Sequence, residues 1–134
     1  ARLAQYDPIL VDPRDNFASE GRFPGETMLR DWPDEALRAL GLDPRTALVF
    51  LTHDSKLDDP ALTYALASDV FYIGALGSKR THALRAERLA VAGFSAAQIA
   101  RVHGPVGLDI GAASPSEIAV AVIAEVTRVL RQGT

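Results

Sequence analysis

The chain has 134 residues, 48% of them apolar and 23% charged, which is the size and mix of one globular domain with its own core. Its formal charge of −3 excludes a chain-wide basic footprint for nucleic acid, and its longest apolar-rich stretch, Ile118 to Ile123, falls far short of the ~20 residues of a membrane-spanning helix. Without cysteine there are no disulfides, thiolate metal sites or thiol nucleophiles.

Ala1-Arg2-Leu3-Ala4-Gln5 reads as the last turn of a helix already in progress, so the sequence is expected to be a fragment. No apolar run follows its one charge, as a signal peptide would need. Pro8 to Val11 is the first expected strand, closed by Asp12-Pro13-Arg14. Thr27 to Arg30 reads as an edge strand, and Pro33 starts a helix that Gly41 stops. Thr46 to Thr52 is a near-continuous apolar run, which suits a strand covered on both faces. Asp58-Asp59-Pro60 reads as the start of a helix to about Ala67. Val70 to Ile73 is the next strand, followed by the turn Gly74-Ala75-Leu76-Gly77. Ser78 caps a helix from Lys79 to about Ala92, and Ser95 caps a short one to about Ala100. Arg101 to His103 is a last short strand, and Gly104 to Ala113 a glycine-rich loop. Ser114-Pro115-Ser116-Glu117 combines an N-cap, an early proline and a capping-box acid and starts a helix to about Arg131. Strands alternating with helices predict an α/β fold, with right-handed crossovers giving a three-layer, doubly wound, mostly parallel sheet.

Sites in such folds lie at the carboxyl ends of strands, where four segments could carry chemistry. Gly74, Gly77, Ser78, Lys79 and Arg80 form a turn into a helix, either a plain Ser-capped turn or an anion site built from free N–H groups, a hydroxyl and two cations. Asp12 with Arg14 is either a turn or the position at which a dinucleotide fold bonds ribose. His53 and Asp54 close the apolar strand, with His53 either a loop residue or a ligand contact. His103 and Asp109 bracket a loop too apolar for a mobile surface segment, either a tight connection to the last helix or a loop clamped near the site. His53, His82 and His103 have no metal-ligand spacing, and no G-x-S-x-G elbow is present.

Three strings carry a resemblance: Phe71 to Thr81, His103 to Ala112 and Ser114 to Val120. Val11 to Arg14 with Phe17-Ala18 and Arg22-Phe23-Pro24, and Leu51 to Asp54, follow in the same order. Over essentially its whole length, 1–134, the chain resembles the C-terminal Rossmann-like domain of the XdhC/CoxI family, the xanthine dehydrogenase accessory proteins. The resemblance implies a cytoplasmic carrier, more chaperone than enzyme. It would bind molybdenum cofactor (molybdopterin) while its terminal sulfur is installed and pass it to an apo molybdenum hydroxylase of the xanthine dehydrogenase kind. A sulfurtransferase partner and a homodimer are further expectations. An NAD(P)-binding oxidoreductase domain is the alternative, since fold does not fix function. In the family the first strand and its glycine-rich turn precede the residue matching Ala1, and so does a separate N-terminal domain. Three expectations follow: an open helix start at Ser78, His53 and Asp109 at the same sheet edge as Ser78, and a slot between the Ile9 and Val49 strands filled by polypeptide outside this sequence.

Overall fold

The computed structural model describes residues 1–14, 25–52 and 54–133. His53 and the stretch from Phe17 to Pro24 lie outside the described residues. A short 3-10 turn, Arg2–Ala4, opens the chain. The strands are β1 (Ile9–Val11), β2 (Thr27–Leu29), β3 (Ala47–Phe50), β4 (Tyr72–Ala75) and β5 (Val102–His103). The helices are α1 (Pro33–Leu40), α2 (Ser55–Leu66), α3 (Lys79–Val91), α4 (Ala96–Ile99) and α5 (Pro115–Gln132). All pairings are parallel: β1 with β2, and β3 with β4 and β4 with β5. They form two sheets, β1-β2 and β3-β4-β5.

Side-chain alternation along β4 sorts the layers. Ile73 and Ala75 face a core that Leu37 of α1, Leu62 and Leu66 of α2, and Leu89 of α3 complete. Tyr72 faces the other way, onto Val122, Val126 and Val129 of α5. Because Ala47 is in register with Tyr72 and Leu48 with Ile73, β3 divides alike: Leu48 and Phe50 join the first core and Ala47 the second. The result is the expected three-layer α/β arrangement.

Strand ends shift by one or two residues, β3 closing at Phe50 rather than Thr52 and β4 opening at Tyr72 rather than Val70, and two boundaries differ for a visible reason. α2 begins at Ser55, not near Asp58, because the Asp54 side chain accepts the Lys56 N–H at 3.0 Å and caps the helix one turn earlier. Pro60 then lies inside the helix. β4 runs two residues further than the apolar run, taking in Gly74 and Ala75. Gly74 is therefore a strand residue rather than part of the turn. A Cβ there would come within 2.5 Å of the Tyr72 hydroxyl and of Val106, so the bare backbone lets the Tyr72 ring lie along the sheet.

The start of α5 matches its sequence signature in full. Ser114 Oγ accepts the Glu117 N–H at 3.1 Å, and Glu117 Oε1 accepts the Ser114 and Ala113 N–H groups at 3.0 and 2.9 Å. Those backbone donors hold the Glu117 carboxyl below its ordinary value of 4.5. A group whose value is lowered by folding stabilises the fold above its unfolded value, and that contribution is lost as pH falls. Ser114→Ala should cost about 1 kcal/mol. In urea unfolding, the gap between Glu117→Gln and wild type should narrow as pH is taken from 6 to 3.

Candidate functional site

The turn between β4 and α3 is built from local signals. Gly77 has φ +138, a region that favours glycine, and a Cβ there would meet Thr81 at 2.9 Å. Ser78 is the N-cap, its Oγ accepting the Thr81 N–H at 3.1 Å. That cap leaves the Lys79 and Arg80 N–H groups, which head the helix, without an intrahelical partner. Ser78, Lys79 and Arg80 are all exposed, so the helix start is open rather than covered by packed side chains.

Beneath it lies a support that the sequence does not reveal. Arg85, in the second turn of α3 and 5% exposed, donates to the Leu76 carbonyl at 2.9 Å and fixes the residue before Gly77. Its Nη1 lies 3.3 Å from His82 Nδ1. Arginine only donates, so this nitrogen accepts. Burial, then the Arg85 charge, lower the His82 pKa, which keeps the ring neutral at pH 7 as that role requires. Gly104, after β5, packs directly on the same ring, and an added Cβ would overlap Nδ1. Gly104→Ala should therefore displace His82 and cost about 1–3 kcal/mol. The same change made in a His82→Ala background should cost clearly less, a coupling that a double-mutant cycle of unfolding midpoints would measure.

At the end of β1, Asp12 and Arg14 form a closed pair. Arg14 Nε and Nη2 each donate to a different Asp12 oxygen at 2.9 Å, and the Arg14 N–H adds a third bond. These bonds hold the Asp12 carboxyl below its ordinary range. The Arg14 pKa is raised, first by the Asp12 hydrogen bond, with the charges of Asp12, Asp54 and Asp58 adding to it. The carboxyl ends of β1 and β3 are thus electrostatic neighbours, with Asp54 there as the cap of α2.

The loop after β5 is anchored on one buried acid. Glu125 of α5, 6% exposed, accepts the Tyr72 hydroxyl at 2.6 Å and the Gly107 N–H at 3.2 Å on the same oxygen. His103 Nδ1 lies 3.6 Å from that oxygen, and the His103 ring stacks on Tyr72 with centroids 4.8 Å apart. Burial and the Glu125 hydrogen bond push the Tyr72 phenol far above its ordinary range. Val106 N–H bonds the Ala75 carbonyl and Leu108 N–H the Ala121 carbonyl, so the loop is clamped between β4 and α5. Asp109 is exposed in the same connection.

Of the candidate residues, Gly77, Ser78, Lys79 and Arg80 stand together after β4, with Gly74 supporting them from within the strand, whereas His103 is engaged on the α5 side, stacked on Tyr72 and 3.6 Å from Glu125. Asp12, Arg14 and Asp54 form a second group at the ends of β1 and β3. Sequence reasoning misses Glu125, Tyr72, Arg85 and His82. Glu125 alone carries a signal, as the one acid on the buried α5 stripe with Ala121, Val122, Val126 and Val129.

Parallel strands joined by helices, with a glycine turn opening a helix at their carboxyl edge, define a Rossmann-type α/β domain. Comparison with known proteins makes this specific. Residues 1–126 match the family described as the XdhC Rossmann domain, and the chain belongs to that family. It is 39% identical over 88 residues to the molybdenum cofactor insertion chaperone PaoD of Escherichia coli strain K12, covering 66% of this chain and 28% of PaoD. It is 31% identical over 123 residues to a probable xanthine dehydrogenase subunit of Bacillus subtilis strain 168, covering 90% of this chain and 35% of that protein. A crystal structure described as a xanthine dehydrogenase from Bacillus halodurans superposes with a TM-score of 0.79 at 28% identity, over 96% of this chain and 37% of that one. The chain thus spans about a third or less of the length of the curated relatives it matches. No helix among the described residues is long and apolar enough to cross a membrane.

Proposed function

We propose that this domain belongs to an accessory protein that holds molybdenum cofactor and passes it to an apo molybdenum hydroxylase of the xanthine dehydrogenase kind. The observation that carries the reading is the open start of α3, where Ser78, Lys79 and Arg80 are exposed above a turn braced by Arg85. The donors present suit a phosphate: unpaired N–H groups, a hydroxyl and two cations at a helix N-terminus. The pterin needs polar edges, for which His103 and Asp109 in the clamped loop, and His53 and Asp54 after β3, are the candidates. Molybdenum cofactor, when bound, would supply the metal and its terminal sulfur; the protein's part is to bind, orient and shield. The names of PaoD and of the Bacillus subtilis relative support this class of cargo and client. Sulfuration by a sulfurtransferase during the holding step, a cytoplasmic setting and a homodimer belong to the same proposal. An NAD(P) site has less support, because the Asp12 carboxylate that would accept a ribose hydroxyl is already engaged by the Arg14 Nε, Nη2 and backbone N–H groups.

The test is retention of pterin. The full-length protein is purified from cells that make the cofactor, and its pterin is oxidised and quantified by fluorescence. Lys79→Ala/Arg80→Ala should retain about tenfold less or lower, on the scale of one lost charge-assisted bond. Equal retention by the double variant, or co-purification of a nicotinamide dinucleotide instead, would overturn the reading.

A further inference from the structure

A cleft of about 130 Å³ opens between the first turns of α2 and α3. At ≈ 30 Å³ per water it has room for about four waters, which is too little for a pterin or a nucleoside. Polar groups and the apolar Leu84 side chain share its lining: the hydroxyls of Thr52, Ser55 and Thr81, the Asp58 carboxyl and the Arg85 guanidinium face it, with Asp59 and Arg88 beside them. Arg85 and Asp58 are 5% and 6% exposed, yet among the described residues they make no ion pair with each other. The partners of Arg85 are neutral, the Leu76 carbonyl and the His82 ring. The Asp58 carboxylate accepts the Thr52 hydroxyl, at 2.8 Å. At the rim Arg88 and Asp59 neutralise one another through a 2.7 Å bond. Arg85 and Asp58 feel each other's charge across the cleft, but among the described residues no direct bond joins them, which leaves a small space between guanidinium and carboxylate that a bridging group could fill.

We infer that this cleft binds a tetrahedral oxyanion of the phosphate type, with Arg85 as its charge partner and Asp58 selecting for an anion that carries a proton. The reasoning for Asp58 is electrostatic. A carboxylate beside an anion is repulsive unless one proton lies between them. Phosphate at neutral pH brings that proton as a P–O–H group that donates to Asp58; sulfate has none and binds only when Asp58 is itself protonated. The charged groups around Asp58 are Arg85 on α3, the Arg88–Asp59 pair at the rim, Asp54 one turn earlier on α2, and Arg14 after β1. Burial raises the Asp58 pKa, and the Thr52 bond and the Arg85 charge oppose the rise. Protonation by falling pH should therefore let sulfate in. The anion is either free phosphate or the terminal group of a phosphomonoester whose remainder projects out of the cleft.

The experiment is titration of the 15N-labelled protein with inorganic phosphate, sulfate and glycerol phosphate, followed by amide and arginine Nε shifts. Phosphate at pH 7.5 should move residues 52–59 and 81–88 and bind about tenfold or more tighter than sulfate, the scale of one charge-assisted hydrogen bond. Asp58→Asn should erase that preference by strengthening sulfate. Arg85→Gln should weaken both anions about tenfold or more, and Arg85→Lys, which keeps the charge, should recover part of the loss if the glutamine variant folds poorly. Tighter glycerol phosphate than phosphate supports the site and marks a monoester as its occupant; the reverse supports the site and marks the free anion. Shifts confined to Ser78–Arg80, equal affinity of wild type for phosphate and sulfate, or unchanged affinity in both Arg85 variants would overturn the inference. None of these outcomes depends on pterin retention.

Discussion

Glu125→Ala is expected to remove a large part of the stability of the domain, whereas Glu125→Gln is expected to be mild. Alanine deletes the acceptor of two donors, the buried Tyr72 hydroxyl and the half-buried Gly107 N–H. Each orphaned donor costs about 1–3 kcal/mol, so the pair costs about 2–6 kcal/mol, against a typical total of ~5–15 kcal/mol. Glutamine keeps an oxygen for both donors and loses only the charge near His103, for an expected cost of about 1 kcal/mol. Urea midpoints of the three proteins measure the difference. Hydrogen exchange adds the local view: amides of Val106, Gly107 and Leu108 should lose protection in the alanine variant before those of β4 do. The loop cannot settle elsewhere at little cost, because Gly107 has φ +99 and its Cα faces the α5 backbone at Ala121 and Val122. An alanine variant within about 0.5 kcal/mol of wild type would mean that water replaces the carboxylate, and Glu125 would no longer be the anchor of the loop. A glutamine variant as damaged as the alanine one would instead assign the stability to the charge facing His103.

The elements most legible in the sequence are those whose ends are fixed locally. Ser78, Ser95 and Ser114 each cap the helix that follows, and the last two complete capping boxes with Gln98 and Glu117. Such bonds span three residues and need nothing from the rest of the chain. The sequence pattern puts the start of α2 one turn late because Pro60 is the louder signal, although the Asp54 cap satisfies a donor while an early proline only tolerates its loss. It ends β4 two residues early because Gly74 looks like a turn residue; only the Tyr72 ring lying over it shows why a strand needs glycine there. The glycine turn after β4 is legible for the same local reason as its cap. The anchor of the loop after β5 is not, since it is defined by a distant partner: Tyr72 meets Glu125 across 53 residues of sequence. Asp58 and Asp59 are neighbours of one type, yet one is buried against Thr52 and the other pairs with Arg88 at the surface. Only the packed helices distinguish them. The family is recognisable from strings of residues such as His103 to Ala112, whose loop geometry no periodicity rule would yield.

The gap between the two sheets leads to the last expected result. Tyr6, just before β1, bonds Thr127 of α5 at 2.7 Å and packs in the same cluster as Ala47 at the start of β3. Arg14, just after β1, feels the charges of Asp54 and Asp58, the N-cap and first turn of the α2 helix that follows β3. Both ends of β1 are therefore near the matching ends of β3, and among the described residues no ladder joins the two strands. Among those residues β1 pairs on one side only, with β2, and β3 only with β4. Val49 and Leu51, 36% and 59% exposed, and Ile9, 41% exposed, leave apolar surface bare at the same place. In a doubly wound sheet of order 3-2-1-4-5-6 this is the position of the central strand. We therefore expect an extended segment of polypeptide outside residues 1–134 to pair in parallel with both edges. Each backbone group that it satisfies is worth about 0.5–1.5 kcal/mol, so a few such bonds on each side rival the whole stability of a small domain. Hydrogen exchange compares residues 1–134 alone with the same chain in its full-length protein. Amides of Val11 and Val49, which point away from β2 and β4, should exchange quickly in the first and be protected by several orders of magnitude in the second. Equal protection in both, or cross-strand contacts between β1 and β3 in solution, would show that the two strands close on each other and that no central strand is accommodated between them.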